Sequence, residues 1–361
     1  MQQLMWNIVT PARGPSPLTH EAEGILLHEK VEAAPGLPMG PFARLADGRV
    51  LAVDTERMLV SADEGKSWET LVERPFGEDV TLSGERAMLA VDGAVVVAFE
   101  NRAKASPFTW SEEEKDAVDA IIPTCAAHSL DGKTWTDVQT LYTDWNGAIR
   151  TMIRTKSGRI VFTTMKMLHH PGRHSVLTCG SDDGGRTWRE SNLIDFGGNG
   201  HHDGAIESTI VELRDGRLLM YLRTNWGQFW RAESLDEGRH WHPLGPAGVD
   251  ASSAPGQLFR LQSGRIMLLW NRAYPEGGGE VPLRGGDRNW SATPVSNFRD
   301  ELSLAFSEDE CESWSAPVVL ARKPDTWLAY PYIFEAEPGV VWITTMQGGV
   351  RITLRESDFI G

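Results

Sequence analysis

A short motif recurs five times along this chain, and its regular spacing limits the possible folds more than any other feature. The motif, the Asp-box, has the pattern Ser-x-Asp-x-Gly-x-(Thr or Ser)-Trp. Its Ser and Asp side chains bond backbone groups of a turn, and its Trp packs beneath that turn. The copies begin at Ser61, Ser129, Ser181, Ser234 and Ser307. The copy at Ser129 is one residue short, and the copy at Ser307 has Cys311 in place of the glycine. This repetition predicts an architecture of similar hairpins.

A second repeat alternates with the first. Six apolar runs are each interrupted by a glycine turn, which is a strong signal for a β-hairpin. The turn glycines are Gly48, Gly93, Gly158, Gly216, Gly264 and Gly339. One glycine hairpin (strands A and B) followed by one Asp-box hairpin (strands C and D) makes a four-stranded blade. The sequence therefore predicts an all-β fold, a six-bladed β-propeller of four-stranded antiparallel blades, as a single domain over residues 1–361.

The sixth glycine hairpin is not followed by an Asp-box, so its blade needs a strand from elsewhere. We expect the N-terminal segment ILLHEKVEA to supply that outer strand, which closes the ring and removes an open sheet edge. Insertions at residues 101–120 and 273–298 separate strands B and C, and we expect them to wall the central depression opposite the Asp-boxes. In the first insertion, Ser111 and Glu114 have the spacing of a capping box, which predicts a short helix.

The composition argues against several classes of function. A net charge of −15 disfavours nonspecific binding to nucleic acid or to an anionic membrane. No apolar run reaches the length of a membrane span. Cys125, Cys179 and Cys311 are widely spaced and lack metal-ligand spacing, so we expect no disulfide framework, metal or cofactor. The first residues, MQQLMWNIVTPARG, lack a basic start and an apolar run. We therefore expect no signal peptide and a cytoplasmic location, unless a leader has been removed.

The register of the hairpins selects candidate site residues. In a propeller, strand A begins on the ligand face near the central axis, so equivalent positions of the blades converge there. The residues nine positions before the hairpin glycines are Met39, Gly84, Ile149, Glu207, Pro255 and Tyr330. Only Glu207 and Tyr330 carry reactive groups. Strand B returns to the same face at Arg223, and strand C leaves it near Arg299.

These segments resemble the sialidase (neuraminidase) superfamily and its bacterial Asp-box relatives, and the resemblance covers nearly the whole chain. The stretch ESTIVELRDGRLLMYLRTN is similar to the family's segment with a catalytic glutamate and an arginine. FRDELSLAFSEDECESW is similar to the segment with a further arginine, and AYPYIFEAEPGVVWITT to the nucleophile segment. The resemblance implies that Tyr330 is a nucleophile activated by Glu207, and that Arg223 and Arg299 bind a sugar carboxylate.

The first blade departs from the family pattern. The family's first carboxylate-binding arginine belongs to a Phe-Arg-Ile-Pro motif, whereas this chain reads GLPMGPFARL, with Pro38 and Met39 at that place. Three arginines elsewhere are candidate replacements, and the register does not choose among Arg150, Arg173 and Arg272. The family's acid/base aspartate lies in the loop after strand B of this blade. Here that loop is only DTER, which contains Asp54 and Glu56.

Other polar residues near Glu207 complete the candidate site. The segment GGNGHHDGAIES places His202 and Asp203 just ahead of Glu207, and we assign proton donation to Asp203 with the help of His202. Asn225, two residues beyond Arg223, is a further substrate-binding candidate. Two nearby aromatic residues fit either a sugar-stacking wall or packing between blades, namely Trp226 and Trp230.

The sequence thus predicts a glycoside hydrolase, exo-acting on an acidic or otherwise modified sugar, with a carbohydrate as its partner. It gives no indication of the oligomeric state. One alternative is a polysaccharide lyase, in which His202 and Tyr330 abstract a proton next to a uronate carboxylate. A second alternative is a noncatalytic carbohydrate-binding propeller, which the missing first arginine favours. Fold alone does not decide among these functions.

Overall fold

The computed structural model describes residues 14–287 and 289–360. Most of the N-terminal segment used to predict the absence of a signal peptide, residues 1–13, lies outside the described residues. The strands form six four-stranded antiparallel blades arranged as a six-bladed β-propeller, which confirms the fold predicted from the two repeats. In the described part of the chain, no helix is long and apolar enough to cross a membrane.

Each blade consists of strands A to D in the order expected from the repeats. The strands of blade one are Phe42–Arg44, Val50–Val53, Arg57–Ser61 and Glu69–Glu73. Those of blade two are Leu82–Val91, Ala94–Asn101, Thr124–Ser129 and Thr136–Tyr142. Those of blade three are Met152–Arg154, Ile160–Leu168, Arg173–Ser181 and Arg189–Glu190. In every case a glycine turn joins A to B and an Asp-box joins C to D.

The second half of the chain repeats this plan. The strands of blade four are Ile206–Glu212, Leu218–Arg223, Gln228–Ser234 and His242–Asp250. Those of blade five are Gln257–Arg260, Ile266–Trp270, Glu301–Ser307 and Val318–Arg322. Strands A to C of blade six are Pro331–Glu337, Val340–Thr345 and Arg351–Arg355. The insertion of blade five contains two further short strands, Leu283–Arg284 and Val295–Ser296, and two short 3-10 helices cover Arg102–Lys104 and Glu356–Asp358.

The N-terminal segment closes the ring, as predicted. Val31–Ala33 pairs with strand C of blade six and serves as its strand D. The first half of the same segment has a different role, because Ile25–His28 pairs with strand D of blade five. Leu18–Ala22 adds a further strand to that edge. The N-terminal segment therefore ties blade five to blade six.

The hydrophobic core is divided among the contacts between neighbouring blades. Six clusters of buried apolar residues each combine side chains from two adjacent blades, so that every pair of neighbours around the ring shares one cluster. The cluster between blades six and one contains Phe42 and Trp342 in an edge-to-face contact. Burial of apolar surface between blades therefore holds the ring together.

The Asp-boxes have a common hydrogen-bond pattern, which blade one illustrates. The backbone N–H of Gly65 donates to Ser61 Oγ at 2.9 Å, and the side chain of Asp63 accepts hydrogen bonds from Ser67. Trp68 donates its indole N–H to the carbonyl of Gly65 at 3.1 Å. The bonds from Ser67 and Ser61 lower the pKa of Asp63 to about 2. The box carboxylate is thus ionised and committed to its turn.

The glycine of each Asp-box packs against strand B of the preceding blade. A Cβ added at Gly65 would lie 2.6 Å from the ring of Trp342 in blade six. The corresponding contacts join Gly132 to Leu51, Gly185 to Val96, and Gly238 to Val161. In blade five Cys311 takes this position with φ at 69°, and its side chain is buried in the cluster shared with blade four. The box glycines therefore allow neighbouring blades to approach closely.

The first insertion folds differently from the expectation. The short helix predicted at Ser111 is wrong, because Thr109–Ser111 and Asp116–Val118 form a small antiparallel hairpin. The capping contact itself exists, since the N–H of Glu114 donates to Ser111 Oγ at 3.1 Å. The segment contains too few residues for a stable helix, and the bond closes a turn between strands instead.

The two insertions lie between strands B and C of blades two and five, as predicted, and they meet other loops in what we call the loop wall. Its parts are residues 101–123, 169–172, 195–204, 273–287 and 289–298. The N–H of Gly172 donates to the carbonyl of Lys115, and that of Gly200 donates to the carbonyl of Gly172. The N–H of His201 donates to the carbonyl of Asn289, whose side chain also accepts from Lys115 Nζ. Backbone hydrogen bonds thus join the wall across blades two to five.

The tight contact at Gly65 predicts a specific loss of stability. Gly65 and Gly48 both have positive φ, but an added Cβ at Gly48 meets nothing within 4 Å. Gly48→Ala should cost about 1–2 kcal/mol through backbone strain alone. Gly65→Ala should cost about 1–3 kcal/mol more, because its methyl group must displace Trp342. Chemical denaturation of both variants measures the difference, and equal losses would contradict the proposed role of this contact.

Candidate active site

Tyr330 and Glu207 meet at the centre of the ligand face. The phenol of Tyr330 donates a hydrogen bond to Glu207 Oε1 at 2.8 Å. Glu207 belongs to strand A of blade four, and Tyr330 directly precedes strand A of blade six. Both side chains are buried. The shared register of the two residues thus corresponds to direct contact in the structure.

Unusual backbone geometry aims both side chains at this point. Glu207 sits at a β-bulge, because the pairing register of strands A and B shifts between Ile206 and Ser208. Its φ is 31°, and that of Tyr330 is 62°. Bulges redirect side chains, and non-glycine residues with positive φ store strain that is concentrated at functional sites. The bulge points the Glu207 side chain towards the axis.

Arg223 holds the pair in place from the end of strand B. Its Nη1 donates to Glu207 Oε2 at 2.6 Å and lies 3.4 Å from the Tyr330 hydroxyl oxygen. Its Nε and Nη2 both donate to Ser253 Oγ, at 3.2 and 2.8 Å. The guanidinium group is buried, and each of its three nitrogens has an acceptor. Arg223 is thus a positioned, charge-neutralised member of the site.

The environment sets the protonation states of the pair. Burial favours the neutral form of Glu207, but the charge of Arg223 and hydrogen bonds from Arg223 and Tyr330 outweigh it, so the pKa of Glu207 is lowered. Burial, with the nearby charge of Glu207, raises the pKa of Tyr330. At neutral pH the site therefore holds an ionised carboxylate as acceptor and a neutral phenol as donor.

Arg299 is a buried cation without a carboxylate partner among the described residues. It donates to Gln347 Oε1 at 3.1 Å and to the carbonyl of Ser253, while its Nε is buried with no hydrogen bond. Its guanidinium lies 4.4 Å from the ring centroid of Trp327 and 5.6 Å from that of Tyr330. Burial lowers the pKa of Arg299, although Tyr330 partly opposes this. An anion in the depression would relieve this uncompensated charge.

Arg150, one of the candidate replacements for the first arginine, lies behind Tyr330. Its guanidinium is 5.1 Å from the ring centroid of Tyr330 and 5.0 Å from that of Tyr332. It donates to Glu85 Oε2 at 3.2 Å and to the carbonyl of Pro331 at 2.9 Å. Arg150 is therefore close to the reacting pair and has a carboxylate partner of its own.

Asn225 and His202 form a layer around Arg223. The side-chain oxygen of Asn225 accepts from Ser253 Oγ at 2.7 Å, and its amide group donates to the carbonyl of His202 at 2.7 Å. The imidazole of His202 stacks on Trp290, with ring centroids 4.6 Å apart. Burial, followed by the charge of Arg223, lowers the pKa of His202 well below its ordinary value. His202 is thus a neutral side chain attached to the loop wall.

Asp203 and Arg272 are engaged elsewhere. The carboxylate of Asp203 accepts from the backbone N–H groups of Asn199 and Ala292, and it forms no hydrogen bond with Tyr330 among the described residues. Arg272 pairs with Asp250 at 3.1 Å. The structure therefore places Asp203 inside the loop wall and Arg272 beside the end of blade four. Neither contacts the reacting pair.

Three other residues considered from the sequence also have local partners. Arg173 forms a two-pronged ion pair with Asp195. Trp226 is partly exposed, while Trp230 packs on Phe196 and Trp226. These two tryptophans form a small aromatic group beside the loop wall rather than a surface against Tyr330.

Blade one offers neither of the groups that the family pattern places there. Arg86 of blade two points towards the site of the missing arginine, where its Nη2 donates to the carbonyl of Gly40 at 3.3 Å. In the short loop after strand B, Asp54 accepts from the N–H groups of Glu56 and Arg57 and pairs with the Arg57 side chain. Asp54 therefore stabilises its own turn.

Several residues of the site were missed from the sequence. They are Ser253, Glu85, Gln347 and Trp327, none of which occupies a converging register position. Glu85 is one residue past Gly84, so a tolerance of one position would have included it. No pattern in the sequence marks Ser253. Within the described residues, no group of three or more His, Cys, Asp or Glu side chains is arranged to hold a metal ion.

Comparison with known protein families identifies the family of this chain. Residues 105–343, more than half of the sequence, match the BNR repeat-like domain. The chain therefore belongs to this family, within the sialidase and BNR repeat superfamily, as the sequence resemblance implied. No curated protein matches the sequence.

Solved structures share the propeller fold at low sequence identity. A protein of unknown function from Dyadobacter fermentans is 16% identical with a TM-score of 0.61, and the match covers 92% of this chain and all of the other. The Hadza microbial sialidase Hz136 is 15% identical with a TM-score of 0.61, covering 88% of this chain and 65% of that one. Trypanosoma rangeli sialidase is 14% identical with a TM-score of 0.55, covering 98% and 59%. At such identities the likeness establishes the fold.

The hydrogen bonds of Ser253 predict a selective effect of mutation. Ser253→Ala removes the acceptor of two Arg223 nitrogens and should destabilise the protein by about 1–3 kcal/mol, since buried donors are left unsatisfied. The neighbouring Ser252 is also buried, but its hydroxyl has no hydrogen-bond partner among the residues that the structure describes. Ser252→Ala should therefore be nearly neutral. Denaturant unfolding of the two variants compares them, and similar losses would refute the role of Ser253 in holding Arg223.

Proposed function

We propose that this protein is an exo-acting glycoside hydrolase that removes an acidic sugar, with Tyr330 as nucleophile and Glu207 as its base. The observation that carries the proposal is the 2.8 Å hydrogen bond from the Tyr330 phenol to a carboxylate whose other oxygen is held by Arg223. A nucleophile bonded to a base that a third group orients is the usual arrangement for covalent catalysis.

The pair is suited to attack at an anionic centre. As the Tyr330 oxygen bonds to the anomeric carbon, its proton passes to Glu207, which is ionised beforehand. A neutral phenol avoids the repulsion that a carboxylate nucleophile would meet beside a sugar carboxylate. Arg223 stabilises the negative charge on the pair throughout, because it contacts both oxygen atoms.

The arginines support an acidic substrate. Arg299 is buried beside Tyr330 without a counter-ion in the described chain, although the protein as a whole carries a charge of −15. A sugar carboxylate would supply the missing negative charge and bond the guanidinium. Because blade one lacks the first arginine, the proposed binding mode has two arginines, Arg223 and Arg299, in contact with the carboxylate rather than three.

The relatives support the same class of reaction. Structures that share the fold include the sialidase of Trypanosoma rangeli and the intramolecular trans-sialidase from Ruminococcus gnavus. The latter is 13% identical with a TM-score of 0.55, and the match covers 89% of this chain and 94% of that one. The loop wall on one side of the depression supports exo action, because a polymer could not pass straight across it.

Tyr330→Phe tests the nucleophile. The variant should lose turnover of 4-nitrophenyl glycosides of N-acetylneuraminic or glucuronic acid by at least about a hundredfold, because only the reacting oxygen is removed. Binding of the free sugar, measured by calorimetry, should change little.

Tyr221→Phe is the matched control, because Tyr221 is also a buried tyrosine but its hydroxyl contacts Trp314 in the core. Wild-type turnover by Tyr330→Phe would rule out the nucleophile assignment. A product that absorbs in the near ultraviolet owing to a new double bond would identify a lyase instead. Binding without any turnover by the wild type would identify a noncatalytic module.

Arg299→Lys tests the carboxylate. A hydrogen bond to a charged group contributes about 1.5–3 kcal/mol, so affinity for N-acetylneuraminic acid should fall about tenfold or more. Affinity for the carboxamide analogue should be weak in the wild type and nearly unaffected by the substitution. Arg322→Lys, in an ion pair at the edge of blade five, is the control. Equal wild-type affinity for the acid and the amide would contradict an acidic substrate.

A further inference from the structure

Cleavage of an ordinary glycosidic bond requires an acid that protonates the departing oxygen. The carboxyl groups considered for this role from the sequence have other partners. Asp203 accepts from backbone N–H groups of the loop wall, and Asp54 is bonded within its own turn. Neither has a free oxygen near Tyr330. A carboxyl group with a free oxygen beside Tyr330 would fit the role of proton donor better.

Glu85 has the location and the free oxygen that a donor needs. It lies in strand A of blade two, one residue beyond the convergent position Gly84. Its Oε2 accepts from Arg150 at 3.2 Å, whereas its Oε1 forms no hydrogen bond with any described residue. The side chain remains 6% exposed, the same fraction as that of Glu207. Arg150, in turn, lies over the ring of Tyr330.

The groups that face Glu85 come from four blades. Arg150 of blade three and Arg102 after strand B of blade two favour its ionised form, while Glu207 of blade four disfavours it. The remaining charged or titratable neighbours are Glu100 and Arg86 of blade two and Tyr330 and Tyr332 of blade six. Burial is the largest influence and raises the pKa of Glu85 to about 7. Glu85 and Glu207 thus differ in protonation although both are buried at the axis.

We propose that Glu85 is the proton donor of this site and protonates the glycosidic oxygen of the leaving group. The inference rests on the proposed glycosidase function. In the first step Glu85 gives its proton to the departing oxygen, the Tyr330 oxygen bonds to the anomeric carbon, and the Tyr330 proton passes to Glu207. The bond between the anomeric carbon and the leaving group breaks, which releases an alcohol.

The second step restores each group. The Glu85 carboxylate takes a proton from water, whose oxygen bonds to the anomeric carbon as the bond to Tyr330 breaks. Tyr330 recovers its proton from Glu207. The net reaction is hydrolysis, and no oxidant, metal or additional reactant is needed. Arg150 stabilises the Glu85 carboxylate between the two steps through its existing hydrogen bond.

Glu100 provides an internal comparison. Burial, followed by the charge of Glu85, raises its pKa well above the ordinary value, as burial also does for Glu85. Its side chain is 0% exposed, however, and its carboxylate lies 3.2 Å from Arg102. Glu100 therefore shares the electrostatics of Glu85 but not its access to a ligand.

The test uses leaving groups of different acidity on the same acidic sugar. A 4-nitrophenolate can depart without protonation, whereas a methoxy group must be protonated so that it leaves as methanol. Glu85→Gln should retain kcat/KM for the 4-nitrophenyl glycosides of N-acetylneuraminic or glucuronic acid within about tenfold, because kcat/KM covers only the steps up to departure of the leaving group. It should lose kcat/KM for the methyl glycosides by about a hundredfold to ten-thousandfold. Its kcat for the aryl glycosides should fall, because the second step lacks the Glu85 base. For the wild type, kcat/KM for the methyl glycosides should fall above about pH 7, where Glu85 loses its proton. That fall should be absent for the aryl glycosides.

Two further variants separate this role from a structural one. Glu100→Gln should affect aryl and methyl glycosides equally, because Glu100 does not reach the substrate. Glu85→Asp keeps the acid, so it should recover part of the methyl glycoside activity, and it remains informative if Glu85→Gln does not fold. Thermal unfolding of each variant monitors the fold.

The outcomes distinguish the two proposals. Equal losses of kcat/KM on aryl and methyl glycosides in both Glu85 variants would overturn the donor role and leave the proposed function intact. A wild-type protein that turns over none of these acidic glycosides would overturn the proposed function and the donor role with it. A selective loss on the methyl glycosides supports both.

Discussion

Contact between neighbouring blades is the constraint on which this structure depends. The Asp-box turns of blades one to four place their glycines against strand B of the preceding blade, Cys311 takes that position in blade five, and each neighbouring pair of blades encloses one apolar cluster. These turns therefore hold neighbouring blades together at five of the six contacts around the ring. Cys311 shows how strict the geometry is, because a residue with a side chain adopts φ of 69° there. The convergence of strand A residues at the axis follows from this repeated packing.

The centre of the ring has an electrostatic organisation opposite to that of the whole molecule. Arg86, Arg150, Arg223 and Arg299 are buried around the axis of a strongly acidic protein. Two glutamates share this region in different states, because Arg223 contacts one oxygen of Glu207 closely while burial dominates at Glu85. The same residue type can therefore serve as a base at one position and an acid at another.

The sequence was sufficient for the fold and for part of the site. Two alternating repeats determined the number of blades, and their register brought Glu207, Tyr330 and Arg223 together correctly. The register of the hairpins predicts where the backbone runs, but it does not predict which polar side chains form hydrogen bonds or ion pairs with each other. Asp203 bonds the loop wall, and Arg272 finds Asp250, because neighbours distant in sequence supplied better partners. Local pattern also failed at Ser111, since the same capping contact is compatible with a hairpin turn as well as with a helix.

The loop wall has a consequence for how a large glycan would lie on the protein. Long insertions separate strands B and C of blades two and five, whereas strands B and C of blade one are joined only by Asp54–Glu56 and those of blade six by Met346–Val350. Under the proposed function, we expect a sugar held at Tyr330 to direct the rest of its parent molecule over blades six and one. These short connections offer few side chains to contact it. We expect discrimination to fall on the terminal sugar, and carriers as different as a short oligosaccharide and a large glycoprotein to be handled alike.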